Sequence, residues 1–491
     1  MMEVAGQSGG TWAWPRSLHV GNVANVAYGY AKILTRRRAQ LELICHDITH
    51  LMSQPEWDDL ALDPKDFPDE GDFGVNTADL GDYRRPPWFS SARLAAPSRS
   101  FRGSVLGQLA RHLPTKVKRA LDPLRYRLRY ARERGASFRR VRTMLRLGRM
   151  DEVESGAGVA RVRELAAMAS RFGPEWKIDP TVLACYQRHC DWLAFHAAAA
   201  DVIFSYALAP IYALLYAKKP CISVEIGTMR DFPFGTSALA RVLWLAYRLS
   251  DHVVITNPDD REAAEQVGIR HYSFCPHPVD ETIFFPTDEP AFRQHLQDKY
   301  AAETLLFAPA RQNWRLKGND KVLRGLAIAL AGGINAVLLI PAWGQEIARS
   351  KTLCRALGVE SRVAWLEPMP EPLLARHYRA VDLVLDQFEL GVFGLITPKA
   401  MACGAPVLTS YERRHNVWCF PADPPLVACA SSEEIGAAIA RFAGDYAARR
   451  EIGTAARRWI EQTHSSALVA DRLRGAMESA IMNFKARRPD G

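Results

Sequence analysis

Short apolar runs alternate along this chain with longer stretches in which apolar residues recur every three or four positions. The first series opens with the run SLHV, a Gly-Asn turn and the helical pattern ANVAYGYAKILTRR, and continues with the run LELICHD. From residue 201 it resumes with DVIFS, KPCISVEI, the helical pattern ALARVLWLAYRL, and DHVVITN. Apolar runs bounded by turns predict buried strands, and the periodic stretches predict helices. This half of the chain is therefore predicted to contain β-α-β units.

A second series of the same kind begins near residue 304. Its predicted strands are TLLFAPA, AVLLIPAW, VAWLEPM and VDLVLDQF, with the helix KVLRGLAIALA between the first two. The loop, helix and strand of GVFGLITPKAMACGAPVLTS follow, and from Ser431 to the end the spacing of apolar residues is helical. Strands that alternate with helices through short connections form parallel sheets covered on both faces. Two such series predict two doubly wound, Rossmann-like α/β domains that face each other.

Composition indicates where these domains begin and end. The proline-containing motif HPVDETIFFP closes the first series, which puts the domain boundary near residue 285. Residues 52 to 98 are rich in Pro, Asp and Gly, and they open a long insertion in the first domain. The predicted organisation is a flexible tail at 1–14, a first domain at 15–285 with an insertion of about 52–180, a second domain at 286–465, and a C-terminal helix at 466–491.

Length and composition exclude several classes of protein. The chain has 491 residues, of which 48% are hydrophobic and 24% charged, as is typical of a folded protein with several domains. No uncharged apolar run reaches the roughly 20 residues of a membrane-spanning helix, and the N-terminus lacks the pattern of a secretory signal. The nine cysteines contain no CxxC pair. We therefore expect a cytoplasmic protein without a disulfide framework or a zinc ribbon.

Positive charge is concentrated in one segment. The chain has a net charge of +9, yet residues 99–149 alone hold sixteen Lys or Arg and two acidic residues, so the remainder is slightly acidic. Arginine alternates there with apolar residues, which predicts a basic, amphipathic helical insertion. Such a helix can bind the anionic inner face of a membrane peripherally, pair with acidic surface elsewhere, or remain solvated. No nucleic-acid motif occurs in the segment, so we expect no nucleic-acid partner.

Two loops after predicted strands carry residues suited to an anionic ligand. Gly21 and Asn22 lie between the first strand and its helix, where glycine lets the backbone approach a ligand and the helix start favours negative charge. Arg311 and Lys317 flank the loop after TLLFAPA. A planar guanidinium and a compact ammonium group can hold a diphosphate from two sides. The alternatives are a simple tight turn at Gly21 and a solvated loop with capping asparagines at Arg311.

A third loop runs from residue 386 to residue 399, between a predicted strand and a helix. Thr397 is predicted to be the N-cap of that helix, with Pro398 in its first turn. Glycines permit close approach of a ligand, and free N–H groups at a helix start bind phosphate oxygens or sugar hydroxyls. The residues expected to bind a donor group here are Gly391, Phe393, Gly394, Leu395, Thr397 and Lys399.

Taken together, these segments resemble glycosyltransferase family 4. FGLITPKAMACGAPVLTS resembles the donor-binding segment of that family, and RQNWRLKG is similar to its phosphate loop. HPVDETIFFP is similar to the family's hinge segment, and SLHVGNVANVAYGYAKIL to the first strand and glycine loop of its acceptor domain. The resemblance covers most of the chain outside residues 52–180. It implies the GT-B fold, with two Rossmann-like domains, an active site in the cleft between them, and a last helix that crosses back to the first domain.

The resemblance also implies an activity. This is transfer of a sugar from a nucleotide-diphosphate sugar to a hydroxyl of a glycan or lipid-linked acceptor, with retention of configuration, in polysaccharide or glycoconjugate biosynthesis. Arg311 and Lys317 would stabilise the departing diphosphate, and Glu389 is the candidate acid beside the donor sugar. The nucleotide sugar is a substrate, and neither a metal ion nor another cofactor is expected.

One departure from the family pattern bears on this activity. The family usually carries two glutamates separated by seven residues across the donor loop, the first near the sugar and the second on the ribose. Gly391 and Lys399 occupy those positions here, and Glu389 is the nearest replacement for the first. A carboxylate accepts two hydroxyl hydrogen bonds, whereas a charged lysine only donates. The alternative function is therefore a catalytically degenerate GT-B scaffold that binds partners.

Two further clusters are candidates for the acceptor side of the cleft. His46, Asp47 and His50 follow the second predicted strand, and we expect acceptor contacts or polar packing there rather than a metal site. Glu225 and Arg230 lie in the loop after KPCISVEI. They are expected either to contact the acceptor or sugar or to hold their loop as a charge pair.

Overall fold

A computed structural model describes residues 13–46, 51–62, 82–92, 157–187 and 191–487. The basic segment 99–149, most of the predicted insertion and the first twelve residues of the predicted tail lie outside these ranges. In the described part of the chain, no helix is both long enough and apolar enough to cross a membrane.

The strands of the first domain form one parallel sheet. They are Ser17–Val20 (β1), Leu41–His46 (β2), Phe89–Ala92 (β3), Val202–Tyr206 (β4), Cys221–Glu225 (β5), His252–Ile255 (β6) and Tyr272–Phe274 (β7). Their order across the sheet is β3-β2-β1-β4-β5-β6-β7. Every residue of β4, β5 and β6 is buried, including polar ones such as Ser205, Ser223 and Glu225, because helices cover both faces of the parallel sheet.

Helices cover both faces of this sheet. They are Val26–Arg36 (α1), Pro55–Asp59 (α2), Ala157–Arg171 (α3), Pro180–Gln187 (α4), Asp191–Ala197 (α5), Pro210–Tyr216 (α6), Ala238–Leu249 (α7) and Asp260–Val267 (α8), with 3-10 turns at Leu51–Ser53, Pro174–Trp176 and Phe232–Phe234. In α1 the apolar residues recur at helical spacing, so one face of the helix is buried against the sheet.

The second domain repeats the architecture with a parallel sheet in the order β10-β9-β8-β11-β12-β13. Its strands are Thr304–Phe307 (β8), Ala336–Pro341 (β9), Val363–Leu366 (β10), Leu383–Leu385 (β11), Val407–Thr409 (β12) and Val427–Ala428 (β13). Its helices are Pro290–Tyr300 (α9), Trp314–Lys317 (α10), Asn319–Ala331 (α11), Ile347–Ala356 (α12), Glu371–Ala380 (α13), Ile396–Ala402 (α14), Arg413–Asn416 (α15), Ser432–Ala443 (α16) and Tyr446–Thr463 (α17), with a 3-10 turn at Glu360–Arg362.

The last helix, Ser466–Ala486 (α18), packs on the first domain. Val469, Leu473 and Met477 are buried in the same core as the apolar face of α1 and strands β4 and β5. Burial of each such side chain contributes roughly 1.5–3 kcal/mol. Arg472 adds a hydrogen bond of 3.0 Å to the carbonyl of Phe274, so α18, which follows the last helix of the second domain along the chain, is held on the first domain.

Both sheets contain a point at which the strand order reverses. In the first, the chain moves outward from β1 to β3 and then returns to add β4 on the other side of β1. In the second, the same reversal separates β8 from β11. Ligands of open α/β sheets bind outside the carboxyl ends of strands at such points. The two predicted doubly wound α/β domains are confirmed, and their switch points are where a site is expected.

Candidate functional site

The loop after β1 is shaped by its own side chains. Gly21 adopts a φ of +88°, which is accessible to glycine at little cost. The buried Asn22 donates from Nδ2 to Asn25 Oδ1 at 2.7 Å and to the carbonyl of Ser53 at 2.8 Å. Its Oδ1 accepts the backbone N–H of Tyr28 at 3.0 Å, within the first turn of α1. Asn22 therefore holds the loop and the helix start together, and contact of Gly21 and Asn22 with an acceptor stays a prediction.

The two cations of the second loop differ in their surroundings. Arg311 is exposed and forms no hydrogen bond or ion pair with the described residues. Lys317 is half-buried at the end of α10, where its Nζ donates to Gln387 Oε1. Asn313 caps α10 by accepting the N–H of Leu316 at 3.1 Å, so the capping asparagine and the cations are both present in this loop.

Lys317 lies where charges of both domains meet. Burial lowers its pKa, Asp386 opposes that effect, and Arg230 and Arg311 lower the pKa further. Arg230 belongs to the first domain, whereas the other two belong to the second. Burial also raises the pKa of Asp386, which Lys317 and Thr397 partly offset. Burial and two neighbouring cations disfavour the charged form of the Lys317 ammonium group, so a bound anion beside it would stabilise that form.

The third loop departs from the prediction at its helix. Helix α14 begins at Ile396, with Leu395 as the residue before it, so the predicted N-cap role of Thr397 is wrong. Thr397 lies fully buried in the first turn, and its Oγ1 donates to Asp386 Oδ2 at 2.8 Å. The hydroxyl therefore ties the first turn of α14 to Asp386, the residue that follows β11.

The loop between β11 and α14 has backbone donors without partners among the described residues. The N–H groups of Phe393, Gly394 and Leu395 make no hydrogen bond with the described residues. A Cβ on Gly394 would meet nothing within 4 Å. The ring of Phe393 is buried in the core of the second domain, and Leu395 packs against the core of the first. At positions 393–395 the backbone is therefore the part of this loop available to a ligand, between two anchored side chains.

Gly391, at the first departure from the family pattern, has no room for a side chain. Its φ is +66°, and a Cβ there would lie 2.8 Å from Glu412 Cγ and 3.0 Å from Glu412 Cδ. Glu412 thus occupies the space that a side chain at 391 would enter, and sequence reasoning missed this carboxylate because it follows the next strand. Glu389, the predicted replacement, pairs with Lys321 of α11 at 2.9 Å. Its role beside the donor sugar stays a prediction.

Lys399, at the second departure, is paired within its own domain. Its Nζ lies 2.7 Å from Glu371 Oε2 of α13 and 5.3 Å from the ring centroid of Phe284. Across the domain boundary, buried Asp58 of α2 accepts a hydrogen bond of 2.9 Å from Asn25 Nδ2. Burial, and then the negative charge of Glu371, raise the pKa of Asp58 to about 7. Sequence reasoning missed both Glu371 and Asp58, since no local motif marks either one.

These charges surround a pocket built from both domains and the segment that joins them. Its cavity volume is about 20 Å³, close to the space that one water molecule needs, and the pocket is partly open to solvent. The residues that line it are Ala24, Asn25, Gly29, Lys32, Ile33, Arg36 and Asp58 of the first domain, Pro278, Asp280, Ile283 and Phe284 of the joining segment, and Glu371, Leu395 and Lys399 of the second domain.

The loop after β5 is held by pairs other than the predicted one. Glu225 is fully buried and accepts the N–H groups of Gly227 and, at 3.2 Å, Met229. Arg230 forms a two-pronged ion pair with Asp259, at 2.5 and 2.8 Å. The predicted charge pair between Glu225 and Arg230 is therefore wrong. In the folded loop Glu225 accepts backbone N–H groups, whereas Arg230 is bound by Asp259 and lies near Lys317.

The predicted histidine cluster is only partly described. His46 is the last residue of β2 and is paired in register with Ala92 of β3. Asp47 and His50 lie outside the described residues. Within the described ranges, no group of three or more His, Cys, Asp or Glu is arranged to hold a metal ion.

Comparison with known proteins adds a sequence relationship. No protein-family model matches the chain. It is 33% identical over 165 residues to the D-inositol 3-phosphate glycosyltransferase of Mycobacterium avium, a match that covers 31% of this chain and 37% of that protein. The chain therefore matches only about a third of the length of such curated relatives.

Comparison of structures extends over almost the whole chain. The fold is similar to that of Anabaena HepE in complex with UDP and glucose, with a TM-score of 0.56, 14% identity, and coverage of 95% of this chain and 100% of that one. Sucrose-phosphate synthase from Thermosynechococcus elongatus is equally similar, with a TM-score of 0.56, 14% identity, and coverage of 95% and 99%. The resemblance found in the sequence is confirmed: this chain has the GT-B fold of the glycosyltransferases, and its curated relatives are glycosyltransferases.

Proposed function

We propose that this chain is a glycosyltransferase that moves a sugar from a nucleoside-diphosphate donor to a hydroxyl of a glycan or lipid-linked acceptor. The proposal depends on the half-buried ammonium group of Lys317 at the switch point of the second sheet, near Arg311 and Arg230. Anabaena HepE, a protein of the same fold, was solved with UDP and with UDP-glucose. A uridine diphosphate sugar is therefore the first donor to test.

Cleavage of the bond to the donor sugar builds negative charge on the departing diphosphate. Lys317, Arg311 and the free N–H groups of residues 393–395 stabilise that charge as it forms. They act in partly desolvated surroundings, where an ionic interaction is several-fold stronger than in water. Removal of one preorganised donor of this kind typically costs about 3 kcal/mol of transition-state stabilisation.

The proposed transfer proceeds with retention of configuration. The bond between the anomeric carbon and the diphosphate oxygen breaks, and a bond from the anomeric carbon to the acceptor oxygen forms on the same face of the sugar. The proton of the acceptor hydroxyl passes to an oxygen of the departing phosphate, which leaves as the nucleoside diphosphate. No protein nucleophile takes part in this scheme, which is consistent with a site that offers cations and backbone donors.

We also propose that transfer needs no bound metal ion, because side-chain cations supply the positive charge on the diphosphate. Transfer should persist after dialysis against EDTA. Loss of transfer after dialysis, restored by a divalent cation, would contradict this part of the proposal.

Calorimetric titration tests the donor site. The protein is titrated with UDP, GDP, ADP and CMP, as wild type, Lys317→Ala and Arg324→Ala. Arg324 is an exposed cation on α11 and serves as the matched control. We expect micromolar binding of one diphosphate by the wild type and by the control. We expect Lys317→Ala to weaken it about 50-fold, the value of a charge-assisted hydrogen bond.

The same titration separates activity from the alternative of a degenerate scaffold. Absence of binding by the wild type would refute a working donor site and favour the scaffold. Nucleotide binding without transfer or hydrolysis of any nucleotide sugar would do the same. Equal weakening by Arg324→Ala would show that Lys317 has no special role.

We further propose that the basic segment 99–149, which lies outside the described residues, holds the protein to an anionic membrane surface. Sixteen basic residues in that segment supply the attraction. The full chain should sediment with vesicles containing phosphatidylserine and not with neutral vesicles. Unchanged sedimentation after deletion of residues 99–149 would contradict this proposal.

A further inference from the structure

The segment after β12 carries a half-exposed glutamate beside the loop between β11 and α14. β11 and β12 are parallel neighbours in the second sheet. The segments that follow them therefore leave the sheet at the same edge, which is where ligands of open α/β sheets bind. Glu412 lies three residues beyond the end of β12, and 47% of its side chain is exposed. Its carboxylate is therefore accessible to a ligand at this edge.

Hydrogen bonds hold this glutamate against Gly391. The N–H of Glu412 donates to the carbonyl of Gly391 at 2.8 Å. The N–H of Gly391 donates in turn to Ser410 Oγ at 3.0 Å. The buried Asn416 donates from Nδ2 to the carbonyl of Gly391 at 3.2 Å and to that of Glu412 at 2.9 Å. The two segments are thus joined on both sides of Gly391, which fixes the position of the Glu412 backbone.

The side chain of Glu412 occupies the space beside Gly391. A Cβ at position 391 would lie 2.8 Å from Glu412 Cγ and 3.0 Å from its carboxylate carbon, Cδ. The carboxylate therefore lies where a side chain of residue 391 would extend. Its Oε2 accepts a hydrogen bond of 2.7 Å from Arg414 Nε, whereas Oε1 has no hydrogen-bond partner among the described residues. At least one carboxylate oxygen is thus available to a ligand.

The same hydrogen bonds lead to the groups that are proposed to bind the diphosphate. Gln387 accepts a hydrogen bond from Lys317 Nζ and donates from its own Nε2 to the carbonyl of Val392. Its backbone carbonyl accepts an N–H of the segment that carries Glu412, at 2.8 Å. The free N–H groups of residues 393–395 follow directly after Val392. Lys317, these N–H groups and Glu412 therefore border the same part of the site.

The groups in this part of the site bind different chemistry. Charged lysine and arginine side chains and backbone N–H groups only donate hydrogen bonds, which suits phosphate oxygens. The hydroxyls of a sugar also need acceptors, and an ionised carboxylate accepts with both of its oxygens. Glu389, the acid predicted from the sequence, is paired with Lys321 of α11 at 2.9 Å. Glu412 instead lies against the loop with the free N–H groups, so it is the better placed acceptor.

We propose that Glu412 binds the donor sugar, with its carboxylate accepting hydrogen bonds from the sugar hydroxyls. The inference rests on the proposed function, which concerns the diphosphate, and it assigns the residue that recognises the sugar attached to that diphosphate. Glycine at position 391 makes room for this carboxylate, and the segment after the neighbouring strand supplies it. Loss of the Glu412 side chain should therefore lower the affinity for a nucleotide sugar and leave the affinity for the bare nucleoside diphosphate unchanged.

Calorimetric titration of Glu412→Ala compares these two kinds of ligand. The first probe is whichever of UDP, GDP and ADP the wild type binds best, and the others are the glucose, galactose and mannose derivatives of that nucleotide. Glu433→Ala, at an exposed glutamate in the first turn of α16, is the matched control. Arg414→Ala removes the ion-pair partner and leaves the carboxylate in place. Affinity for the bare diphosphate also reports whether each variant is folded.

We expect Glu412→Ala to bind the best of the three nucleotide sugars about tenfold more weakly than wild type does. This is the lower end of the range for a hydrogen bond to a charged group, because about half of the side chain is exposed. The affinity of Glu412→Ala for the bare diphosphate should stay within about threefold of wild type. Glu433→Ala and Arg414→Ala should match the wild type for both kinds of ligand.

Three results would overturn the proposal and leave the proposed function standing. The first is unchanged affinity of Glu412→Ala for the nucleotide sugars. The second is an equal loss of affinity for nucleotide sugar and bare diphosphate, which would indicate a structural role. The third is an equal loss of nucleotide-sugar affinity in Arg414→Ala, which would show that the ion pair matters rather than the carboxylate. A wild type that binds no nucleoside diphosphate would refute both this proposal and the proposed function.

Discussion

We expect Lys399→Glu, which restores the acidic residue of the family pattern, to destabilise the protein. Lys399 Nζ lies 2.7 Å from Glu371 Oε2, and the two side chains are 12% and 11% exposed. The charge of Glu371 already raises the pKa of Asp58 across the domain boundary. A glutamate at position 399 would thus replace one of the three cations that line the pocket with a fourth carboxylate, directly beside Glu371.

The size of the effect follows from burial and distance. Breaking a buried ion pair costs roughly 3–5 kcal/mol, and we take about 3 kcal/mol for Lys399→Met because a tenth of each side chain reaches solvent. Two carboxylates about 4 Å apart repel by about 4 kcal/mol at an effective dielectric constant of about 20. Proton uptake by Asp58 relieves part of that repulsion. We therefore expect Lys399→Glu to lower the free energy of unfolding by about 5 kcal/mol.

Urea unfolding followed by circular dichroism measures these differences. The set is wild type, Lys399→Met, Lys399→Glu, and the double variant Lys399→Glu with Glu371→Lys. The double variant reverses the pair and should recover most of the loss, because attraction between positions 371 and 399 is restored. The reasoning would be refuted if Lys399→Glu were as stable as wild type, or if the double variant were no more stable than Lys399→Glu.

Two further predictions concern the donor loop and the pocket. Gly391→Ala should lower the free energy of unfolding by about 1–3 kcal/mol, because of the positive φ and the contact with Glu412. Gly394→Ala, at a position where a Cβ meets nothing within 4 Å, is the control. Urea unfolding curves that coincide for the two variants would contradict this prediction. Asp58 binds its proton more tightly in the folded state than in the unfolded state, with pKa about 7 against 3.8. As pH rises from about 4 to about 7, the free energy of unfolding of wild type should therefore fall relative to that of Asp58→Asn by about 1 kcal/mol per pH unit. If the difference in free energy of unfolding between the two proteins does not change with pH, the pKa of Asp58 is not raised.

The architecture could be predicted because its signals are local. A largely apolar run such as VIFSY is buried on both faces of a parallel sheet, and its composition indicates this without knowledge of neighbouring strands. The same holds for α16, where Ser431 and Glu434 form a capping box that the sequence displays. The ends of the strands were predictable too. The loop that carries Arg311 and Lys317 was identified because it directly follows a predicted strand.

Partners in the site could not be predicted in the same way. Thr397 matches the sequence pattern of an N-cap, yet its hydroxyl bonds to Asp386, eleven residues earlier. Arg230 has Glu225 five residues before it, yet it pairs with Asp259. In each case the chosen partner is the group that the folded sheet brings closest, and proximity in sequence is a poor guide to that distance.

The sequence by itself determined which segments are strands and helices, and which loops emerge at the carboxyl ends of the strands, because periodicity and turn chemistry act over a few residues. Only the tertiary structure decided which charges meet. Asp58, Glu371 and Lys399 come from α2, α13 and α14 and share one pocket. The energy of such groups depends on separation and on exclusion of water, and both quantities exist only once the two domains are packed together.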